Sequence, residues 1–496
     1  MMGRGQGRER NPVAPVADTS TVASGTRLTA ASQIVTQGVR FLTNIVLARL
    51  LTPDDFGVVA IALVISLLLD QLQDAGTGAA IIQRRTVDDA LLNSVFYLNL
   101  ALGAVLGVTL FTVAPVLSAL MGSEGSTPVM RAFAVVTVIT SLGQIHHSLL
   151  RRNLRFFEIA VASAVSAVVT ATVSIVSALL GQGYWALVYG MAAGAVVGTV
   201  LVWVYDRWRP SWQLDLTSLR SIWAYSLHLF LSNVLFFFFT QIDKVIVSHA
   251  FGGAGVGLYS MAQRTVSAPV SSMSTVVGEV TFPAFSRRQD DNAALCSGFI
   301  RSSRVIALVT WPLMFGVAAV ASSLVPVVFG PTWAGLVPLM WILAPMGAVQ
   351  SVTSPSNQLL LAKGRSDLSF RWALVYSVVI VLFELVGVRW GLTGVAGAYA
   401  VAIALLTIPG LLLAFHQIGL SLHDFAASLV PHLGITAVMV LATCGATYGV
   451  RLLHGAAWVE LGTGVLVGGA TYLGLAVATR LPALTEAVRV VKERRG

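Results

Sequence analysis

The sequence predicts an all-α polytopic membrane protein with about 14 transmembrane helices. Three observations carry that expectation. Of 496 residues, 56% are hydrophobic and only 11% are charged, less than half of the roughly 25% charged residues that soluble domains carry. Mean hydropathy is +0.81. Apolar runs of about 20 residues, the length a helix needs to cross hydrocarbon, recur along almost the whole chain and end at Gly, Pro or a basic cluster. Lipid admits only helices or closed barrels, because each backbone polar group must be satisfied internally. The alternating pattern of barrel strands is not visible.

In chain order, residues 1–26 contain Arg4, Arg8 and Arg10 but no apolar core of a signal peptide, so they read as a disordered cytoplasmic tail. Six spans follow at 27–50, 54–80, 91–120, 128–150, 157–180 and 184–205. Six more are expected at 220–250, 256–284, 299–323, 333–361, 369–389 and 393–415. Two further spans, 425–451 and 457–480, precede a basic cytoplasmic tail at 481–496. Pro345 and Pro355 predict a kink in the tenth span, which also carries Gln350, Ser351, Ser354, Asn357 and Gln358.

The net charge of +9 follows from topology. Of 31 Lys and Arg, 24 fall in the tails or in one alternate set of connections, which includes RRNLRFFE (151–158) and DRWRPSWQLDLTSLR (206–220). The positive-inside rule makes that set cytoplasmic, and an even number of spans puts both termini on the same side. His146 and His147 adjoin RRNLR and read as interfacial. Arg40, Lys244 and Arg264 are the cations that topology does not explain. The two cysteines, Cys296 and Cys444, give no disulfide framework.

The chain also repeats itself. An offset of 200 residues aligns LARLLTPDDFGVVAIA (47–62) with VSHAFGGAGVGLYSMA (247–262), setting Gly57 on Gly257. An offset of 210 aligns GQGYWALVYG (181–190) with GLTGVAGAYA (391–400). The repeat predicts two six-helix lobes, 27–210 and 220–416, related by a pseudo-two-fold axis, plus the two C-terminal helices. Parallel repeats of this kind belong to transporters, with a substrate site near the midplane and access from alternate sides.

Candidate site residues lie on polar stripes. The first span carries Gln33, Thr36, Gln37, Arg40, Thr43 and Asn44 at spacings that place them on one face. The seventh carries Asn233, Thr240, Gln241, Lys244 and Ser248 on one face. Its Asp243 is turned about 100° from Lys244 and reads as a structural anchor, with Gly57 and Gly257 as structural glycines. Asp70, Asp74, Glu279 and Glu384 are the carboxylates available for ion coupling. The stripes either line a wet central cavity or hold helix to helix. A guanidinium exceeds what helix adhesion requires, though an Arg–Asp pair with Asp70 or Asp74 is a structural alternative.

Enzyme chemistry finds little support. The longest outward connection, SALMGSEGSTPVM, is too short for a catalytic domain. Neither a phosphate-loop motif nor a metal-ligand spacing occurs, and no cofactor is expected.

SNVLFFFFTQIDKVIVSHAFGGAGVGLYSMAQR (232–264) and QGVRFLTNIVLARLLTPDDFGVVAIA (37–62) resemble signatures of bacterial polysaccharide and O-antigen flippases, in the multidrug/oligosaccharidyl-lipid/polysaccharide exporter superfamily. The resemblance covers about 30–420 and rests on Asn233, Asp243, Gly252, Gly257, Leu258, Tyr259, Ser260, Ala262 and Arg264. It implies translocation of polyprenyl-pyrophosphate-linked oligosaccharide units from the cytoplasmic to the periplasmic leaflet of the bacterial inner membrane. The product would serve exopolysaccharide, capsule or O-antigen (lipopolysaccharide) assembly, beside a polymerase and glycosyltransferases. On this expectation Arg40, Lys244 and Arg264 hold the pyrophosphate. Gln33, Gln37, Asn44, Asn233 and Gln241 replace sugar hydration, and H+ or Na+ is the coupling ion. The alternative is a cation-coupled multidrug antiporter of the same superfamily, whose cavity should be acidic.

Overall fold

The computed structural model describes residues 36–74, 78, 81, 87–123, 125–213 and 216–481, with the backbone alone at 74, 216–240, 276, 279 and 280. Both expected tails, apart from Leu481, lie outside these residues.

Every long element among the described residues is a helix. α1 covers 36–50, followed by α2 (Pro53–Asp74), α3 (Asp89–Leu120), α4 (Ser126–Arg152), α5 (Phe156–Leu179) and α6 (Trp185–Tyr205). α7 (Leu216–Ser286) is broken at Gly252, whose φ of 64° and ψ of −163° only glycine adopts without strain. The break gives two segments, matching the seventh and eighth expected spans. Then come α8 (Asn292–Val328), α9 (Leu336–Thr353), α10 (Pro355–Ala362), α11 (Ser366–Gly387), α12 (Gly391–Phe415), α13 (Leu422–Leu452) and α14 (Ala457–Ala478). Among the described residues, 11 stretches are long and apolar enough to cross a membrane, and one of them, Ser366–Phe415, contains both α11 and α12. The protein is a multi-pass membrane protein.

Local sequence sets the helix ends. Thr52 and Asp55 form a capping box around Pro53: the Thr52 N–H and hydroxyl both donate to Asp55 Oδ2, at 2.9 and 2.7 Å. Asp88 accepts from the Leu91 N–H at 3.0 Å and Asp291 from the Ala294 N–H at 2.9 Å. In the tenth expected span Pro355 ends α9 and starts α10, as the proline pair predicted.

The burial pattern is inverted relative to a soluble protein. Leu441 and Leu466 are 72% and 74% exposed, whereas Asn99, Ser141 and Thr310 are buried. Lipid solvates the former, and polar side chains turn inward to find partners.

The chain divides into two compact units that meet in sequence at Gly257 and Leu258. In unit 1, α6 lies against α5 through Gly190, Gly194 and Gly198, one per turn. A Cβ at the first two would stand 1.8 Å from Ser174 Oγ and 2.0 Å from Thr170 Oγ1. Small residues at this spacing let helix backbones approach closely. In unit 2, Gln350 donates to the hydroxyls of Tyr376 and Tyr399, each at 3.1 Å, and Thr310 bonds Ser351 at 2.7 Å. The polar residues Gln350 and Ser351 of the tenth span therefore join helices. The α13–α14 hairpin is held where Arg451 meets Glu460 and donates to Ser322 Oγ at 3.0 Å.

His146 corrects an expectation. It is 0% exposed, and its Nδ1–H donates to Asp206 Oδ2 at 3.0 Å, between Trp203 and Trp208. It anchors the segment after α6, which Asn93 also clamps through the Ser211 N–H at 2.8 Å and hydroxyl at 2.7 Å. A histidine beside RRNLR looks interfacial only while the folded-back 206–213 segment is unknown. Asp206→Ala leaves the buried ring without its acceptor and is expected to cost about 1–3 kcal/mol, read as a lower unfolding midpoint in detergent with denaturant.

Candidate functional site

The three basic residues near the start of RRNLRFFE have different tasks. Arg152 donates through Nη1 to the Ile81 carbonyl, tying the end of α4 to the stretch beyond α2. Arg155 pairs with Glu158 at 2.8 Å and donates to the Tyr205 carbonyl at 2.8 Å, closing the α4–α5 turn onto the end of α6. Arg151, by contrast, faces a cavity of about 650 Å³ within unit 1.

Helical periodicity builds that cavity. Thr140, Gln144, His147, Ser148 and Arg151 share one face of α4, at steps of three and four. Ser163 and Ser166 of α5 and Gly198 and Thr199 of α6 form the opposing wall, and Arg40 of α1 completes it. The α5–α6 glycine packing shapes this wall: a Cβ on Gly198 would stand 2.8 Å from Ser166 Oγ. From Arg151 to Thr140 is eleven residues, so α4 lines the cavity over about 16 Å. Its volume falls within the range of small-ligand sites. Among the described lining residues there are two arginines and a histidine, and no carboxylate.

The other expected site residues lie elsewhere. Lys244 Nζ donates to Gln241 Oε1 one turn back on its own helix, and its N–H donates to the buried Asp243 carboxylate at 2.8 Å. Arg264, in unit 2, is exposed. Gln37 is exposed and Asn44 half-buried, while Thr43 satisfies its hydroxyl on the Val39 carbonyl at 2.7 Å. Asp70 is exposed. Glu384 is buried and accepts from the Tyr259 hydroxyl at 3.3 Å. Gln33 and the side chains of Asn233, Asp74 and Glu279 lie outside the described residues. Arg151, His147 and Ser166 were not among the expected site residues. Their signal was the 140–144–147–151 face, obscured because Arg151 reads as an ordinary positive-inside residue.

The glycines aligned by the repeat meet in space. A Cβ on Gly57 would lie 1.7 Å from the Gly253 carbonyl oxygen, and one on Gly257 would lie 1.8 Å from that of Pro53. The start of α2 therefore touches the second segment of α7 backbone to backbone. Beside this seam, Ser248 donates to the Met121 carbonyl and His249 Nδ1–H to that of Leu120, at 3.1 Å in the second case.

Within unit 1, α1, α4, α5 and α6 thus enclose a cavity whose described lining is basic and hydroxyl-rich. The family model described as "Polysaccharide biosynthesis protein" matches residues 46–338, more than half of the chain. The chain belongs to that polysaccharide biosynthesis protein family. It is 27% identical to the teichuronic acid biosynthesis protein TuaB of Bacillus subtilis, over 82% of this chain and 84% of that one. It is 25% identical to the lipopolysaccharide biosynthesis protein WzxC of Escherichia coli, over 78% of each. Among solved structures, the lipid II flippase MurJ in an inward closed conformation superposes with a TM-score of 0.72 at 15% identity, covering 91% of this chain and 99% of that one. The last of these establishes a shared fold.

Gly57→Ala and Gly257→Ala force a methyl group against a carbonyl and are each expected to destabilise by about 1–3 kcal/mol. Gly38→Ala, with nothing within 4 Å of the new methyl, should be neutral or stabilise by up to about 1 kcal/mol. Unfolding midpoints of the three purified variants check the contrast.

Proposed function

We propose that the protein is a flippase that moves polyprenyl-pyrophosphate-linked oligosaccharide units from the cytoplasmic to the periplasmic leaflet of the inner membrane, for exopolysaccharide, capsule or O-antigen assembly. The observation that carries this reading is the sign of the unit 1 cavity: arginines and hydroxyls line it, with no carboxylate among its described residues. Family membership and the names of the relatives support it. A pyrophosphate-linked sugar cannot cross hydrocarbon unaided, since burying charge and unpaired hydroxyls is prohibitive. A basic, hydroxyl-lined cavity replaces its hydration while the lipid tail stays in the bilayer. A cationic-drug antiporter would need the opposite sign.

The translocator works by alternating access of the repeat-related lobes 27–210 and 220–416, without catalysis. Both termini are cytoplasmic. Arg40, Lys244 and Arg264 draw the substrate anion inward, and Asp70, Asp74, Glu279 or Glu384 carries the coupling cation that resets the cycle. A polymerase and glycosyltransferases are the expected neighbours.

In proteoliposomes with lipid-linked oligosaccharide loaded in one leaflet, an impermeant sugar-modifying reagent should detect protein-dependent arrival in the other. The triple Arg40, Lys244 and Arg264 to Ala variant is expected to lose about tenfold or more of that rate at normal expression. Absence of transport by well-folded wild-type protein, across several sugar headgroups, would overturn the reading. Indifference to proton and sodium gradients would remove the coupling step alone.

A further inference from the structure

The α13–α14 hairpin reaches the rest of unit 2 chiefly through α8. α13 turns one face inward: Phe425, Ser428, His432, Thr436, Met439 and Thr443 are buried at steps of three and four residues. Apolar packing around Ile435, Met439 and Tyr472 holds part of that face. Hydrogen bonds to α8 brace it at both ends. Arg304 Nε donates to the Ser428 carbonyl at 3.2 Å and the Tyr472 hydroxyl to the Leu308 carbonyl at 2.9 Å. At the far end Arg451 reaches Ser322. Pro431 gives the first brace its reason: it lacks the N–H that would meet the Ala427 carbonyl, so this turn of α13 needs support from outside.

Between the braces, three polar side chains are sealed in without being satisfied. His432 and Thr436 are each 1% exposed and Thr443 is 2% exposed. Both ring nitrogens of His432 and the hydroxyls of the two threonines lack hydrogen-bond partners among the described residues. Elsewhere in unit 2 helical threonines meet this need locally: Thr310 and Thr407 each donate to the carbonyl four residues back, at 2.8 Å. The buried His146 of unit 1 finds Asp206. A leucine or phenylalanine at 432 would fill the place without burying an unpaired N–H. For adhesion alone His432 is a costly choice. What it adds over a hydrocarbon side chain is a site for a proton.

Its surroundings suit only the neutral ring. α8 presents the half-buried Arg304, bonded one turn before His432 on the same face, and the exposed Arg301 beyond it. α14 presents Tyr472, whose proton is committed to Leu308, and Glu460, which meets Arg451 at the opposite end. α12 presents Tyr399, bonded to Gln350. On α13 itself the nearest carboxylate is Asp424, exposed and eight residues, or about 12 Å, away. An imidazolium at 432 would face a guanidinium with no counter-ion beside it among the described residues. Like charges repel most strongly where water is excluded.

We propose that His432 is a proton-binding site, and that taking up a proton there parts the α8–α13 seam at the Arg304 end while the Arg451 end holds. The unsatisfied groups raise the energy of the closed seam, so the charge on one ring is enough to tip it. Water entering the opened seam then solvates the imidazolium and the Thr436 hydroxyl. The hairpin is a flap on unit 2 that stays closed while His432 is neutral. The proposal concerns unit 2 alone and does not depend on the flippase reading.

The test uses the purified full-length protein in lipid nanodiscs. Cys296 and Cys444 are replaced by Ala, and spin labels are placed at two exposed positions through Val309→Cys on α8 and Leu433→Cys on α13. Pulsed dipolar spectroscopy should give one short distance at about pH 8. Near pH 5 a second, longer population should hold about half of the molecules or more. Nitrogen-15 histidine spectra, in which His432→Phe identifies the resonance by its loss, should show the ring becoming charged over the same interval. In His432→Phe and His432→Gln the short distance should persist at both pH values. Arg304→Gln removes the like charge and should move the change to higher pH, whereas Arg304→Lys should leave it in place. A ring that stays neutral throughout in folded protein overturns the proton site. Protonation with an unchanged distance overturns the opening of the seam. Lengthening that survives in both His432 variants overturns the assignment to this residue.

Discussion

The constraint on which everything else depends is that hydrocarbon offers no hydrogen bonds. Each backbone N–H and C=O must find its partner within the chain, so the spans are helices. The same rule then acts on side chains. Asn99, Ser141 and Thr310 turn inward, whereas Leu441 and Leu466 face outward. Where two helices must come very close, as α5 and α6 do, glycines at successive turns remove the obstacle. That packing leaves the polar faces of α4, α5 and α6 confronting one another across a space large enough for a ligand.

Charge is handled case by case under this rule. Arg152 and Arg155 spend their donors on carbonyls and on Glu158, and so brace the end of unit 1 that bears the basic loops. His146 and Asp206 satisfy each other by a hydrogen bond in a buried pocket of tryptophans. Arg451 turns to Glu460. Arg40 and Arg151, by contrast, are exposed and line the unit 1 cavity.

The seam between Gly57, Gly253, Pro53 and Gly257 gives the internal repeat a physical meaning. Equivalent hairpins, 200 residues apart in sequence, carry glycine at equivalent places because each must accept the other's backbone at contact distance. A capping box at Thr52 and Asp55 fixes one hairpin, and the glycine break at 252 shapes the other.

The sequence by itself determined the helical class, the approximate limits of the spans, the correspondence of Gly57 with Gly257 and the family resemblance. All of these follow from local periodicity, from Gly and Pro geometry, or from motifs within a few dozen residues. Tertiary structure decided which polar faces confront each other. The stripe of α1 was visible in sequence, but its partnership with α4 was not, because Arg40 and Arg151 are over a hundred residues apart and any of several helices could have faced either. His146 and His147 are neighbours in the chain, yet one is sealed against Asp206 and the other opens on the cavity. About 100° of helical rotation separates them, and only packing tells which direction is inward.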